Sequence, residues 1–215
     1  MARSLWEGFS DGTILVGVGV SLRRLFIGYS ISLIVGLPLG LGLARSKVLE
    51  DSLGTIVTGM QALPSICWLP IALIWFGLSE TAILFVVVAG SLFSITIATT
   101  AGVRNVPPLL VRAARTMGAR GPQLYFRVIL PASLPGILSG MRLGWTFAWR
   151  SLMAGELLFV SGGLGQLLAT GRELRDMSRV LAVMVTIVGL GLLTDVLVFD
   201  RLEQRVRERW GTDRA

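Results

Sequence analysis

Charge-poor apolar windows recur five times along the chain, each near the length of about 20 residues that carries a helix across a bilayer. Residues 25–44 form the first, and the apolar run 13–22 before it predicts one long helix entering at a slant. Arg23 and Arg24 between the two runs read as interfacial anchors whose stems lie along the apolar phase. The second window, 52–79, is free of charge for 28 residues, longer than one straight crossing requires. Pro64 and Pro70 interrupt it, and a broken helix in a membrane faces protein or a water-filled cavity. The stretch QALPSICWLPIALIWFG therefore predicts a kinked span that either lines a pathway or serves helix packing. Glu80 marks a turn, and 81–103 returns as the third span. The fourth, 131–155, contains Arg142 and Arg150; the fifth, 180–199, has Asp195 near its end. Between them, Gly162, Gly163, Gly165 and Gly171 argue against a spanning helix and predict a re-entrant or surface helix over 156–179.

The longest interruption of the apolar pattern is the basic hairpin 104–131, RNVPPLLVRAARTMGARGPQLYFRVILP. Pro107 and Pro108 suit a first helical turn, where a missing N–H costs little. Leu109, Leu110, Ala113, Ala114 and Met117 recur at helical spacing as one apolar stripe, with Arg112 and Arg115 off it. Gly118 falls where a left-handed helix-ending residue is wanted. Pro122 opens a second short helix, and Pro131 is expected to end it before the next apolar run. A structured basic hairpin between spans predicts a docking surface for a soluble partner.

Composition agrees with a polytopic membrane protein: 53% of the 215 residues are hydrophobic and only 15% charged, well below the quarter typical of soluble domains. The mean hydropathy is +0.73. The net charge of +7 resides in arginines between and after the spans, which fits lipid headgroups rather than nucleic acid. Twelve of the twenty basic residues fall in the 45–51 turn, the hairpin and the basic tail 200–215. The positive-inside rule makes that side cytoplasmic, and five spans then place the N-terminus outside. The first dozen residues, with Glu7 and Asp11, lack the apolar core of a signal peptide. The tail RLEQRVRERWGTDRA is amphipathic and reads as an interfacial cytoplasmic helix or a solvated positive tail. No separate soluble domain and no repeat are visible, so 1–215 reads as one membrane domain. The single cysteine, Cys67, excludes an internal disulfide, and the absence of histidine removes every imidazole-based site. Glu80, Glu156 and Asp195 are scattered, which leaves no constellation for a membrane enzyme. A secondary transporter or channel working without ATP would call for inverted repeats and ion-coupling carboxylates, and neither is evident.

The hairpin carries a fixed-spacing motif: Arg112-Ala113-Ala114, three residues, Gly118, nine residues, then Val128-Ile129-Leu130-Pro131. It resembles the Glu-Ala-Ala…Gly…Ile-x-Leu-Pro motif of permease subunits of bacterial ABC importers, with arginine in place of the glutamate and valine in place of isoleucine. The runs SLRRLFIGYSISLIVGLPLGLGLARS, LPSICWLPIALIWFGLSE and AGELLFVSGGLGQLL are similar to those of the nitrate/sulfonate/taurine-type subfamily. Many of its members carry a further N-terminal span, so the resemblance covers the five-helix core. It implies an all-α membrane fold, the type I (MetI-like) importer core with a cytoplasmic coupling helix, in the bacterial inner membrane. It implies two cytoplasmic ABC ATPase subunits that bind ATP and Mg, a periplasmic or lipoprotein substrate-binding protein, and a second permease copy in a homodimer. The chain itself would hold no cofactor, and its cargo would be a small anion such as nitrate, a sulfonate, taurine or bicarbonate. The coupling residues carried over are Arg112, Ala113, Ala114, Gly118, Leu130 and Pro131, with the small alanines approaching the partner closely.

For the pathway, Arg150 is the evident cation, since intramembrane charge usually faces protein or water. Trp145 and Trp149 lie four apart beside it, and Ser65 and Trp68 flank the proline break. Two readings stand. These residues and Glu156 meet an anionic substrate, or the tryptophans anchor an interface and Arg150 with Glu156 satisfies local structure.

Overall fold

A computed structural model describes residues 10–158 and 162–210. The first nine residues, residues 159–161 of the glycine-rich stretch and the last five of the basic tail lie outside the described residues. Eight helical elements follow one another: α1 (Thr13–Arg45), α2 (Lys47–Ala62), α3 (Ser65–Phe76), α4 (Glu80–Arg104), α5 (Pro108–Thr116), α6 (Gly121–Leu158), α7 (Leu164–Glu173) and α8 (Met177–Val206). The last continues to Trp210. Among the described residues α1, α4, α6 and α8 are each long and apolar enough to cross a membrane. Together α2 and α3 make a fifth, broken span bent by 103°.

The break falls at Pro64, where Leu63 and Pro64 adopt extended dihedrals (ψ 124° and 139°). Proline disfavours helix in the residue before it, so α2 ends there. Pro70, expected to interrupt the span as well, sits instead in the first turn of the α-helical part of α3, where its missing N–H is harmless. The 13–22 run and the first window do form one 33-residue helix.

The hairpin's second helix is not a separate element. It runs through Pro131 into the fourth span without a stop. A π-turn over Tyr125–Ile129 widens the helix immediately before Pro131, and this local register change accommodates a proline that would otherwise break the helix.

Helix α4 is the centre of the bundle, packed between α1 and α6. Without a hydrophobic driving force between helices in lipid, close approach of small residues and interhelical hydrogen bonds hold such bundles together. Gly36 of α1 lies against the Leu92 carbonyl and Ile95, and Gly40 against the Thr96 carbonyl and Thr99, so that a methyl would be crowded at Gly36 and would collide at Gly40. On the other side of α4, Gly102 meets Gly136 backbone to backbone and Gly140 meets Ala98. Hydroxyls complete the seam: Ser91 donates to Ser32 Oγ at 2.8 Å and Thr100 to the Gly40 carbonyl at 3.0 Å. The apolar core around Ile83, Val86, Val87 and Leu152 is fully buried.

Candidate functional site

The hairpin projects from the end of the bundle where α4 stops and α6 starts. Pro107 is the N-cap of α5 and Pro108 its first residue, as the sequence predicts. Gly118 has φ 89°, a left-handed conformation that other residues adopt only with strain. Its N–H donates to the Arg115 carbonyl at 3.0 Å, and the Ala119 N–H to the Ala114 carbonyl at 3.0 Å. These two bonds close the helix and satisfy its last carbonyls. The apolar stripe divides between two faces. Leu109, Ala113 and Met117 are exposed, whereas Ala114 is 3% exposed and turned into the protein. Ala114 therefore anchors the hairpin to its own chain, which corrects the expectation that both alanines face a partner. Arg112 is exposed, while Leu130 and Pro131 sit half-buried where the hairpin joins α6.

Three cavities follow one another along the side of the bundle that carries the broken span. The middle one, about 380 Å³, lies at the Pro64 break and against Ala89 and Gly90 near the midpoint of α4. It brings Ser65, Trp68 and Arg150 together. Trp68 stacks on Phe93 with ring centroids 5.9 Å apart, which fixes the start of α3 against α4. A second cavity, about 600 Å³, shares Ile66, Arg150 and Ala154 with the first and reaches Trp149 on α6 and Arg172 on α7. A third, about 840 Å³, shares Ala62 with the first and opens toward the hairpin end beside Glu50, Asp51 and Arg104. There Arg104, the last residue of α4, forms an ion pair with Glu50. Trp145 is not among these lining residues. It is buried in the core against Tyr29, at 5.1 Å between ring centroids, and Phe26.

Glu156 also lies away from the cavities. Its side chain is fully buried at the end opposite the hairpin. Ser21 Oγ is 2.7 and 2.9 Å from its two oxygens, Arg24 Nη1 donates at 3.1 Å, and the Gly165 N–H at the start of α7 donates at 3.0 Å. Ser21 Oγ in turn accepts the Leu164 N–H at 2.9 Å. A carboxylate at a helix N-terminus, paired with a guanidinium, is a favourable buried arrangement. Arg24 is thus no interfacial anchor: it is 3% exposed and bridges Glu156 to Glu80. Nor does Arg150 satisfy Glu156. Arg150 lies over the Phe147 ring at 5.9 Å, and among the described residues no carboxylate is within ion-pair distance of it.

Residues 32–208, most of the chain, match the family described as "binding-protein-dependent transport system inner membrane component". The chain belongs to that family. A protein of Methanocaldococcus jannaschii named as an ABC transporter permease is 35% identical over 185 residues, 86% of this chain and 69% of that one. The taurine transport system permease protein of Escherichia coli is 30% identical over 190 residues, 88% of this chain and 69% of that one. In fold, the chain resembles a solved inward-facing MetNI methionine ABC transporter, with a TM-score of 0.79 at 22% identity over 90% of this chain and 96% of that one. The five-span all-α core is therefore that of an ABC importer permease, a multi-pass inner-membrane transport subunit.

Several polar contacts of the permease escaped the sequence reading. Arg142, a charge within the fourth apolar window, is paired. Its Nε donates to Asp195 at 2.6 Å, and it pairs with Asp200 at 3.0 Å, tying α8 to α6. The clue was spacing, since Asp195, Asp200 and Glu203 recur near one helical face. The Arg104–Glu50 and Arg24–Glu156 pairs join residues too distant in sequence for any local pattern to reveal. Arg172 carried no signal beyond its charge.

Proposed function

We propose that this permease conducts small anions along the three cavities, driven by ATPase subunits that dock on the hairpin. The observation that carries this reading is the exposed apolar face of α5. Leu109 and Met117 are 76% and 82% exposed on and just after a short helix, closed at its C-terminus, that lies outside the apolar spans. Apolar side chains held rigidly in such a position suit a protein groove. The hairpin is continuous with α6 and adjoins α4 through Arg104, so displacement of α5 reaches the pathway walls directly. Arg112, Ala113, Ala114, Gly118, Leu130 and Pro131 form this coupling unit, with Arg112 offering a cation where relatives of this type offer a carboxylate. The hairpin and the C-terminus face the cytoplasm and the N-terminus the exterior, as the arginine distribution favours.

In this reading ATP and Mg bind in the partner ATPase. A binding protein delivers cargo to the end carrying α7, and a second copy of the chain closes the open side of the cavities. Ser65, Trp68 and Arg150 meet the anion at the proline break, with Trp149 beside them, while Trp145 and Glu156 support the surrounding walls. The taurine relative supports a small cargo with a sulfonate head. The test is uptake into proteoliposomes containing the permease, its ATPase and its binding protein. Uptake that needs ATP and stops when the ATPase is omitted is expected; ATP-independent flux through the permease alone would overturn the reading.

A further inference from the structure

The charges along the three cavities are unevenly compensated. At the hairpin end Arg104 is neutralised by Glu50, with Asp51 beside it. In the cavity at the opposite end, Arg150 and Arg172 both contribute to the lining, and among the described residues neither has a carboxylate within ion-pair distance. Two guanidiniums in one cavity of about 600 Å³ with no internal counter-charge make a site of positive potential that an anion relieves. The remaining walls are apolar: Ile66, Trp149, Met153 and Ile187 face the same space. A small inorganic ion would leave those apolar walls uncovered, whereas an anion with an apolar body would cover them. The volume lies within the usual range for a small organic ligand.

We infer that the Arg172–Arg150 cavity is a binding site of the permease itself, selective for organic anions that join an anionic head to an apolar body. Arg172 engages the head first and Arg150 second. The shared residues Ile66 and Ala154 then lead to the proline break. Beyond it, Arg104 does not retain the head because Glu50 already occupies its guanidinium. This deepens the anion-importer reading and rests on it for direction of travel, but binding is measurable without transport.

The test is titration calorimetry on the permease–ATPase complex in phosphatidylcholine nanodiscs, with 1-hexanesulfonate and nitrate as probes. Hexanesulfonate is expected to bind and nitrate to bind at least about tenfold more weakly. Arg172→Gln and Arg150→Gln should each weaken hexanesulfonate about tenfold or more, the loss of one charge-assisted contact. Arg172 is exposed on a short helix, so its variant keeps the test alive if the Arg150 variant folds poorly. Equal affinity for nitrate, or unchanged affinity in Arg172→Gln, would overturn the inference. The same titration in phosphatidylglycerol nanodiscs separates the cargo from a lipid headgroup. Unchanged binding supports the site, and competition by the lipid overturns it. If hexanesulfonate fails to bind while the ATPase remains attached and drives uptake, the inference falls and the importer reading stands.

Discussion

Arg24 Nη1 lies 3.1 Å from Glu156 Oε1 across 132 residues of sequence, and neither side chain reaches solvent appreciably. The contact joins α1 to α6, while Ser21 and the Gly165 N–H bring α7 to the same carboxylate. One acidic group thus holds three elements together.

Removing Arg24 leaves Glu156 buried without its cation, which typically costs about 3–5 kcal/mol, and removing Glu156 takes the buried charge from Ser21, Arg24 and the Gly165 N–H, although Arg24 keeps Glu80. Glu156→Gln and Arg24→Gln are each expected to lower the melting temperature of the purified permease sharply. The double replacement Arg24→Met/Glu156→Leu should recover much of that loss. A double variant as unstable as the sum of the singles would show that the two residues act independently.

Steric closeness supplies the second expectation. A methyl on Gly165 would come within 2.5 Å of the Glu156 Cβ and 3.1 Å of its carbonyl carbon, both on the rigid wall of α6. Gly165→Ala should destabilise by about 1–3 kcal/mol, the usual cost of overpacking. Gly19→Ala, whose added methyl would meet nothing within 4 Å, should be neutral or slightly stabilising in the same melt.

On the hairpin, exposure distinguishes two kinds of alanine-stripe residue. Leu109→Glu and Met117→Glu change exposed positions and should alter stability by less than about 0.5 kcal/mol while abolishing retention of the ATPase on a permease column. Ala114→Glu places a charge in a buried contact and should lower the melting temperature itself. Retention of the ATPase by both exposed variants would remove α5 as its docking face.

Gly118 has open space around it, so only its left-handed backbone resists substitution. Gly118→Ala should cost about 1–2 kcal/mol, confined to the hairpin. Gly118→Glu should leave the spans folded yet uncouple uptake from ATP hydrolysis. Normal uptake by a well-expressed Gly118→Glu variant would contradict this.

The Arg104–Glu50 pair joins the end of α4 to the start of the broken span with both side chains about one-third exposed. Breaking it should change stability by no more than about 1 kcal/mol. Glu50→Gln and Arg104→Gln should nevertheless slow uptake, because the hairpin then loses its link to α2. Exchange of the two charges, Glu50→Arg with Arg104→Glu, is expected to restore the rate. A swapped protein as slow as the single variants would count against a mechanical role.

Much of this architecture was legible in the chain. Five apolar windows became five spans because hydrophobic length is a local property, and Pro64, Pro108 and Gly118 act on their own backbone. Pro131 misled because the π-turn over Tyr125–Ile129 just before it cannot be read from propensity. The site was half legible for a different reason. Ser65, Trp68 and Arg150 converge as the proline break suggests, but Trp145 and Trp149, four apart, meet different surroundings: one the core aromatics, the other the cavity. Likewise Glu156, adjacent in pattern to Arg150, belongs to Arg24. Charge pairing across a bundle depends on which helices become neighbours, and periodicity within one helix carries no record of that.

The glycine seam also dictates how motion travels. Where Gly36, Gly40, Gly102 and Gly136 bring α1, α4 and α6 together, the contacts are made by backbone and by the short branched side chains of Ile95 and Thr99, so we expect the three helices to tilt as one stiff beam. Its 25-residue central member is about 37 Å long. A tilt of about 5° imposed at α5 would swing the opposite end by about 3 Å, which is a water molecule's width. The beam needs no internal rearrangement to open a gap of that size, and the compliance of the molecule is left to the broken span at Pro64.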